Sequence, residues 1–215
     1  MRYYPICLDV KNRRCVIVGG GEVSARKITF LLNCEANIVV ISPQINEEIN
    51  VFACEKRIEW IERGYQAGDL KGAFFVIAAT DDPDLNKQIS QEARDTGILV
   101  NVADSEEDST FILPAVLSRG SLSIAVSTEG KSPALAKKIR NDISGMFGKE
   151  YIRFVDLLGS LRQTVKATFD NQSKRSIIWN KLLNSELLEL LKKGRTDMID
   201  TVLKRYGVNR PKSEK

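Results

Sequence analysis

The segment Cys15-Val16-Ile17-Val18-Gly19-Gly20-Gly21-Glu22-Val23-Ser24-Ala25-Arg26-Lys27 most constrains what this chain can fold into. A short apolar run reads as a buried strand. Three glycines follow it, and apolar residues then recur at helical spacing (Val23, Ile28, Leu31, Leu32). Gly19 lets the chain turn where a side chain would clash, and Gly21 removes a Cβ where a phosphate must approach the backbone. Glu22 and Val23 open the helix, whose free N–H groups and positive dipole end favour an anion. The third small position falls on Ser24, with Ala25 beside it. A lone Gly-x-Gly also occurs in plain loops, but the strand before it and the helix after it mark this one as a dinucleotide-binding turn.

The pattern repeats downstream. Residues 3–13 read as a short strand and turn leading into the strand at 14–19, and the first helix ends around Asn33. Ala36–Ser42 is a β-branched run stopped by Pro43, residues 44–54 form a short helix, and Ile58–Ile61 form a strand. Ala73–Thr80 is the most apolar strand. Asp82 caps and Pro83 opens a helix to about Asp95, and Ile98–Val102 is a fifth strand. Alternation with short connections predicts an α/β fold with a Rossmann-type doubly wound parallel sheet. After Asp104 the alternation stops. Thr110–Leu117 and Ser121–Ser127, joined through Arg119-Gly120, predict an antiparallel β-ribbon. Ser132 and Pro133 then cap and open a helix. The chain reads as helical to Tyr206, with breaks near 145–148, 171–174 and Gly194 and a frayed tail at 207–215.

The charge is divided along the chain. Residues 1–112 carry 12 Lys and Arg against 18 Asp and Glu, whereas residues 113–215 carry 20 against 10. The basic half suits an anionic partner, yet it lacks the aromatic interleaving of a nucleic-acid-binding surface, so no nucleic acid is expected. No apolar run approaches the roughly 20 residues that span a bilayer, and Met1–Pro5 shows no signal-peptide pattern. A cytoplasmic protein without a membrane partner is expected. Cys7, Cys15, Cys34 and Cys54 are widely spaced, as reduced thiols are. With 0 histidines, proton chemistry must use Asp, Glu, Lys, Tyr, Cys or water.

Ligands of such a sheet lie beyond the carboxyl ends of the strands. Those ends carry Gly19–Val23, Ser42-Pro43, Thr80-Asp81 and Asn101–Asp104. Ser42 stands where an NAD-binding sheet usually carries an acid for the ribose hydroxyls, and Pro43-Gln44-Ile45-Asn46 offers no cation for a 2′-phosphate. The pattern favours NAD over NADP. Asp104, partly buried at the end of the fifth strand, is a candidate proton acceptor; a turn or cap role is the simpler alternative. Asp108 and the glutamates before it read as solvated charges. Ser132 is either a helix cap or part of an anion-receptive loop that Lys131 and Arg119 help to line. Trp179 and the leucines of 182–191 read as core.

Four blocks carry a resemblance: Pro5-Ile6 with Val18–Lys27; Ala78–Asp82 with Leu85-Asn86; Asn101–Asp104 with Phe111–Ala115; and Ala125–Ala136. In order and spacing over residues 5–140, they closely resemble the siroheme synthase family of precorrin-2 dehydrogenases and sirohydrochlorin ferrochelatases. The resemblance implies NAD-dependent oxidation of precorrin-2 to sirohydrochlorin. In bifunctional members Fe2+ is then inserted as a substrate; other members of this size leave that step to a separate chelatase. It implies a homodimer that exchanges its ribbon region. It places the family's key acid on Asp104, as base in dehydrogenation and as proton acceptor or metal guide in chelation, and a serine phosphorylated in some members on Ser132. It also implies three parts: an NAD-binding domain at 1–112, a dimerisation region at 113–148 and a helical domain at 149–215. The family's methyltransferase half is not expected within these 215 residues. A different class, an NAD-sensing regulatory module with a basic partner-binding region, would share the glycine turn but would not need Asp104.

Overall fold

Five parallel strands organise the first of two compact units. The computed structural model describes residues 2–211. One unit is built from the chain up to Leu113 together with Glu129–Lys131, the other from Pro114–Thr128 together with the chain from Ser132 onward. The first contains β1 (Arg14–Val18), α1 (Glu22–Asn33), β2 (Asn37–Ile41), α2 (Glu47–Cys54), β3 (Glu59–Ile61), β4 (Phe75–Ala78), α3 (Pro83–Asp95) and β5 (Leu99–Val102). Strand order is β3-β2-β1-β4-β5, the doubly wound arrangement, with the direction of winding reversing between β1 and β4. Val18 pairs with Ile41 and Ala78, and Ala78 pairs with Val102, so these four strands end level. The loops that follow them therefore share one edge.

Both sheet faces are covered, which is why the strands are apolar throughout rather than alternating. On one face Ala25, Ile28, Leu31 and Ile49 pack on Cys15, Ile17, Ile38, Val40, Phe75 and Ile77. On the other, Leu70, Ile89 and Ala93 pack on Val16, Val18, Val39, Val76 and Val100. Asp82 caps α3 by accepting from the N–H groups of Asp84 and Leu85, with Pro83 in the first turn.

The second unit holds an antiparallel ribbon of β6 (Ala115–Arg119) and β7 (Leu122–Val126), which turns at Gly120 with φ +58°. The helices α4 (Pro133–Ser144), α5 (Glu150–Thr168), α6 (Gln172–Leu183), α7 (Leu187–Lys192) and α8 (Ile199–Arg205) follow, with a 3₁₀ turn at Thr196–Met198. Phe154, Leu157, Leu161 and Val165 form the buried stripe of α5 and meet Leu182, Leu187, Leu191, Ile199, Val202 and Leu203, with Trp179 packed at the margin.

Three local expectations change. Residues 3–13 form no strand: β1 already has β2 and β4 on its two sides, and Tyr4 and Ile6 lie exposed. Residues 110–114 do not join the ribbon, because Thr110 docks along β5 instead: its N–H donates to the Val100 carbonyl and its hydroxyl accepts from the Val100 N–H, each at 2.8 Å. The tail does not fray at 207: Val208 is fully buried in the helical core and its N–H bonds the Leu203 carbonyl. The frayed tail was expected to run to 215, and its last four positions lie outside the described residues. All four cysteines are free thiols. No helix among the described residues is long and apolar enough to cross a membrane.

Candidate functional site

The glycine turn sits at the reversal of the sheet, and its three glycines have three different surroundings. Gly19, buried with φ +116°, lies against the backbone of Ala79, whose carbonyl a Cβ would strike. Its N–H donates to the Ile41 carbonyl and the Ala79 N–H donates to the Val18 carbonyl, so β1, β2 and β4 converge there. Gly20 lies against the Gln44 carbonyl in the same intolerant way. Gly21 has nothing within 4 Å of a built Cβ; it is the N-cap of α1 and supplies no side-chain cap. Glu22, exposed, and Val23, half-buried, follow in the first turn. The helix therefore presents uncapped N–H groups to open space. One residue further, the Ser24 hydroxyl is fully buried and has no hydrogen-bond partner. Open room at Gly21, bare amides and an orphaned hydroxyl fit a dinucleotide pyrophosphate.

The other strand ends complete the crevice. Ser42 is buried. Its hydroxyl donates to the Gln44 carbonyl at 2.6 Å, and its own carbonyl accepts from the Trp60 indole at 3.0 Å, with Pro43 exposed beside it. Its oxygen lone pairs remain for a ribose hydroxyl. Arg63, the cation that follows β3, is bound to Asp69 through both terminal nitrogens at 2.8 Å. That contact holds the Asp69 carboxyl below the usual carboxylate range.

Thr80 is fixed by a residue that sequence reasoning did not assign to the site. Asn86, 7% exposed, accepts from the Thr80 hydroxyl at 2.8 Å and from its N–H at 3.3 Å, and donates to its carbonyl at 3.0 Å. The resemblance blocks include Asn86, but spacing alone gives no sign that one amide clamps the whole Thr80 backbone.

Asn101 lies half-buried on the α1 side of the sheet, in register with Ile77, and its amide donates to the Phe111 carbonyl at 3.1 Å. Asp104 is exposed rather than partly buried, because the chain leaves β5 through a left-handed residue, with φ +62° at Asp104 itself. Aspartate tolerates that region better than most side chains. Behind it the loop is well tied. Ser109, 4% exposed, donates to the Ser105 carbonyl at 2.6 Å and accepts from the Val102 N–H at 2.9 Å. Asp108, expected to be solvated, accepts from the Ser105 hydroxyl at 2.6 Å. Gly130, φ +78°, packs directly on the Glu106 carboxylate, where a Cβ would overlap it. Lys131 is exposed beside it in sequence and belongs to the same unit.

Lys27 is a further charge near this edge. It is half-buried in α1; burial lowers its pKa from the ordinary lysine value, neighbouring Arg26 adds to that, and the Asp104 carboxylate works the other way.

Arg119 and Ser132 belong to the second unit. The Arg119 guanidinium donates to the Phe147 carbonyl at 2.8 Å, the Ser118 carbonyl at 2.9 Å and the Ser144 hydroxyl at 3.0 Å. These contacts tie the ribbon to the end of α4. Ser132 caps α4, accepting from the Leu135 N–H at 3.3 Å, and its own N–H donates to Thr128 Oγ1 at 3.1 Å.

Three family models match the chain in succession: a putative NAD(P)-binding family over residues 6–115, the sirohaem biosynthesis protein central region over 119–146, and the sirohaem synthase dimerisation region over 150–205. The chain belongs to the siroheme synthase family. It is 36% identical to the siroheme synthase of Thioalkalivibrio sulfidiphilus over 92% of this chain and 40% of that one. It is 36% identical to that of Nitrosomonas europaea over 91% and 41%, and 34% identical to that of Ruthia magnifica over 91% and 41%. The chain thus spans about two-fifths of the length of these siroheme synthases. Among solved structures it is similar to SirC, a precorrin-2 dehydrogenase, with TM-score 0.75 and 29% identity over 95% of this chain and 99% of that one. The solved neighbour and the NAD(P)-binding family match agree with the fold class described above.

Proposed function

We propose that this protein is a cytoplasmic, homodimeric precorrin-2 dehydrogenase that uses NAD. The carrying observation is the exposed Asp104 carboxylate, on the same sheet edge as an uncapped glycine turn, in a chain similar end to end to a solved precorrin-2 dehydrogenase. The balance is precorrin-2 plus NAD⁺ giving sirohydrochlorin, NADH and a proton. The nicotinamide, when bound, supplies the hydride acceptor.

The protein holds, orients and takes the proton. Gly19 and Gly20 bring the backbone of the turn close to the neighbouring strands. Gly21 and the amides of Glu22 and Val23 receive the pyrophosphate. Ser42 and Pro43 flank the adenine ribose, and the lack of a free cation beside Ser42 favours NAD over NADP. Thr80, clamped by Asn86, and Asn101 shape the nicotinamide end. Asp104 accepts the proton that leaves the ring. Lys131 of the first unit, and Arg119 and Ser132 of the second, are each assigned a role toward the carboxylates of the substrate, and the basic half draws in the polycarboxylate ring. The dimer contacts are assigned to the expected region at 113–148 and also to the helices after it, since the dimerisation-region match covers residues 150–205.

Purified protein supplied with precorrin-2 and NAD⁺ is expected to generate the absorbance of sirohydrochlorin. Asp104→Ala is expected to lower turnover at least a hundredfold while leaving NADH affinity within twofold. Intact NAD binding without turnover in the parent protein would instead favour an NAD-sensing regulatory module. Iron insertion, with Fe2+ as substrate, would rest on Asp104 and the ring's own nitrogens, since no group of three or more Cys, Asp or Glu able to hold a metal occurs among the described residues. Fe2+ uptake by sirohydrochlorin, enzyme against blank, measures it.

A further inference from the structure

Lys27 has no role in the reading above, and its surroundings are unusual for a lysine. It lies at positions i+3 from Ser24, i−1 from Ile28 and i−4 from Leu31, residues whose side chains form the buried stripe of α1. It is half-buried, and among the described residues it donates no hydrogen bond and forms no ion pair. Buried ammonium groups are ordinarily paired, because removing one from water without a partner is costly. The charges that reach it are the neighbouring Arg26, which repels it, and Asp104, which attracts it. Helical side chains lean toward the helix N-terminus, and the N-terminus of α1 is at the crevice. The Lys27 ammonium is near enough to Asp104 for that carboxylate to act on it, and Ser24, whose hydroxyl is orphaned, lies three residues before it in α1.

We propose that Lys27 is an anion anchor in the crevice and that its ligand is a carboxylate of the tetrapyrrole substrate. The proposal rests on the dehydrogenase reading for the identity of that substrate. The competing anion is the dinucleotide pyrophosphate. That group already has the first-turn amides around Glu22 as partners, whereas the attractive charge acting on Lys27 is the Asp104 carboxylate. Asp104, by contrast, belongs to the proton-accepting end of the crevice. A carboxylate bound by Lys27 would hold the ring edge beside Asp104 and give the ammonium the partner it lacks.

The test uses the full chain with two probes. One is uroporphyrin, an octacarboxylate ring already fully oxidised and followed by its fluorescence; the other is NADH. Lys27→Met is expected to raise the Kd for uroporphyrin about tenfold and to leave the Kd for NADH within twofold. Its thermal midpoint should be unchanged or higher, since an unpaired half-buried charge has been removed. Lys27→Arg should restore most of the ring affinity. Unchanged ring affinity in Lys27→Met, or a rise in the NADH Kd of the same size, overturns the proposal. Should Lys27→Met fail to fold, Lys27→Gln is read by the same criteria. The dehydrogenase reading fails separately: a parent protein that binds uroporphyrin through Lys27 but does not oxidise precorrin-2 retains the anchor and loses the activity.

Discussion

Gly20 and Gly21 are adjacent and identical, and a methyl group added to each meets a different fate. At Gly20 it meets the Gln44 carbonyl, a backbone atom with no room to move. Gly20→Ala is expected to destabilise the nucleotide unit by about 1–3 kcal/mol, as overpacking of a close contact does, visible as a lower urea midpoint. At Gly21 the methyl meets nothing in the protein, so Gly21→Ala should leave that midpoint nearly unchanged while raising the Kd for NADH tenfold or more. Equal effects of the two substitutions on stability would contradict the assignment of Gly21 to the ligand.

The same two residues mark what a sequence can disclose. The turn at Gly19–Gly21 and the caps at Asp82 and Ser132 were legible because each rests on neighbours within a few positions. Gly20 against Gln44, Asn86 clamping Thr80 and Arg119 holding the end of α4 were not, because each partner is brought there by tertiary folding or by the course of a loop. Asp104 shows both sides. Its place after the fifth strand could be read, whereas its exposure depends on a left-handed backbone that no residue spacing signals.

At the scale of elements, the connection after β3 is fastened by one carboxylate. Asp69 accepts from both terminal nitrogens of Arg63 and from the Gln66 N–H, each at 2.8 Å, and its side chain is 13% exposed. The Arg63 guanidinium beside it depresses its pKa below the usual value of 3.8. A depressed folded-state pKa contributes stability above the unfolded value, and that contribution is lost as the pH falls through the folded one. Asp69→Asn should therefore lower the thermal midpoint at pH 7, by an amount set by about 1–3 kcal/mol for charged hydrogen bonds left incomplete. The difference between variant and parent should shrink progressively below about pH 4. A constant difference from pH 7 to pH 3 would show that the charge is not what matters.

Across the whole molecule, the two charge-divided halves imply a salt response. The residues from 113 onward carry an excess of basic side chains, and the proposed ring substrate is a polyanion. Raising ionic strength from 50 mM to 500 mM, where the screening length falls from above 10 Å to below 5 Å, should increase the KM for precorrin-2 severalfold and change kcat little. An unaltered KM would detach the basic half from substrate capture.

The chain does not finish its nucleotide unit at Leu113. It leaves, returns for Glu129–Lys131, and leaves again, with Gly130 seated on the Glu106 carboxylate during the return. A gene fragment stopped at residue 113 would thus encode a unit with a missing piece, and an insertion near residue 125 would lengthen the path by which that piece comes back. Shuffling that treats the first half as a cassette would carry away the glycine turn and leave behind the three returning residues, among them the Gly130 that packs on Glu106. This junction is therefore a poor site for recombination.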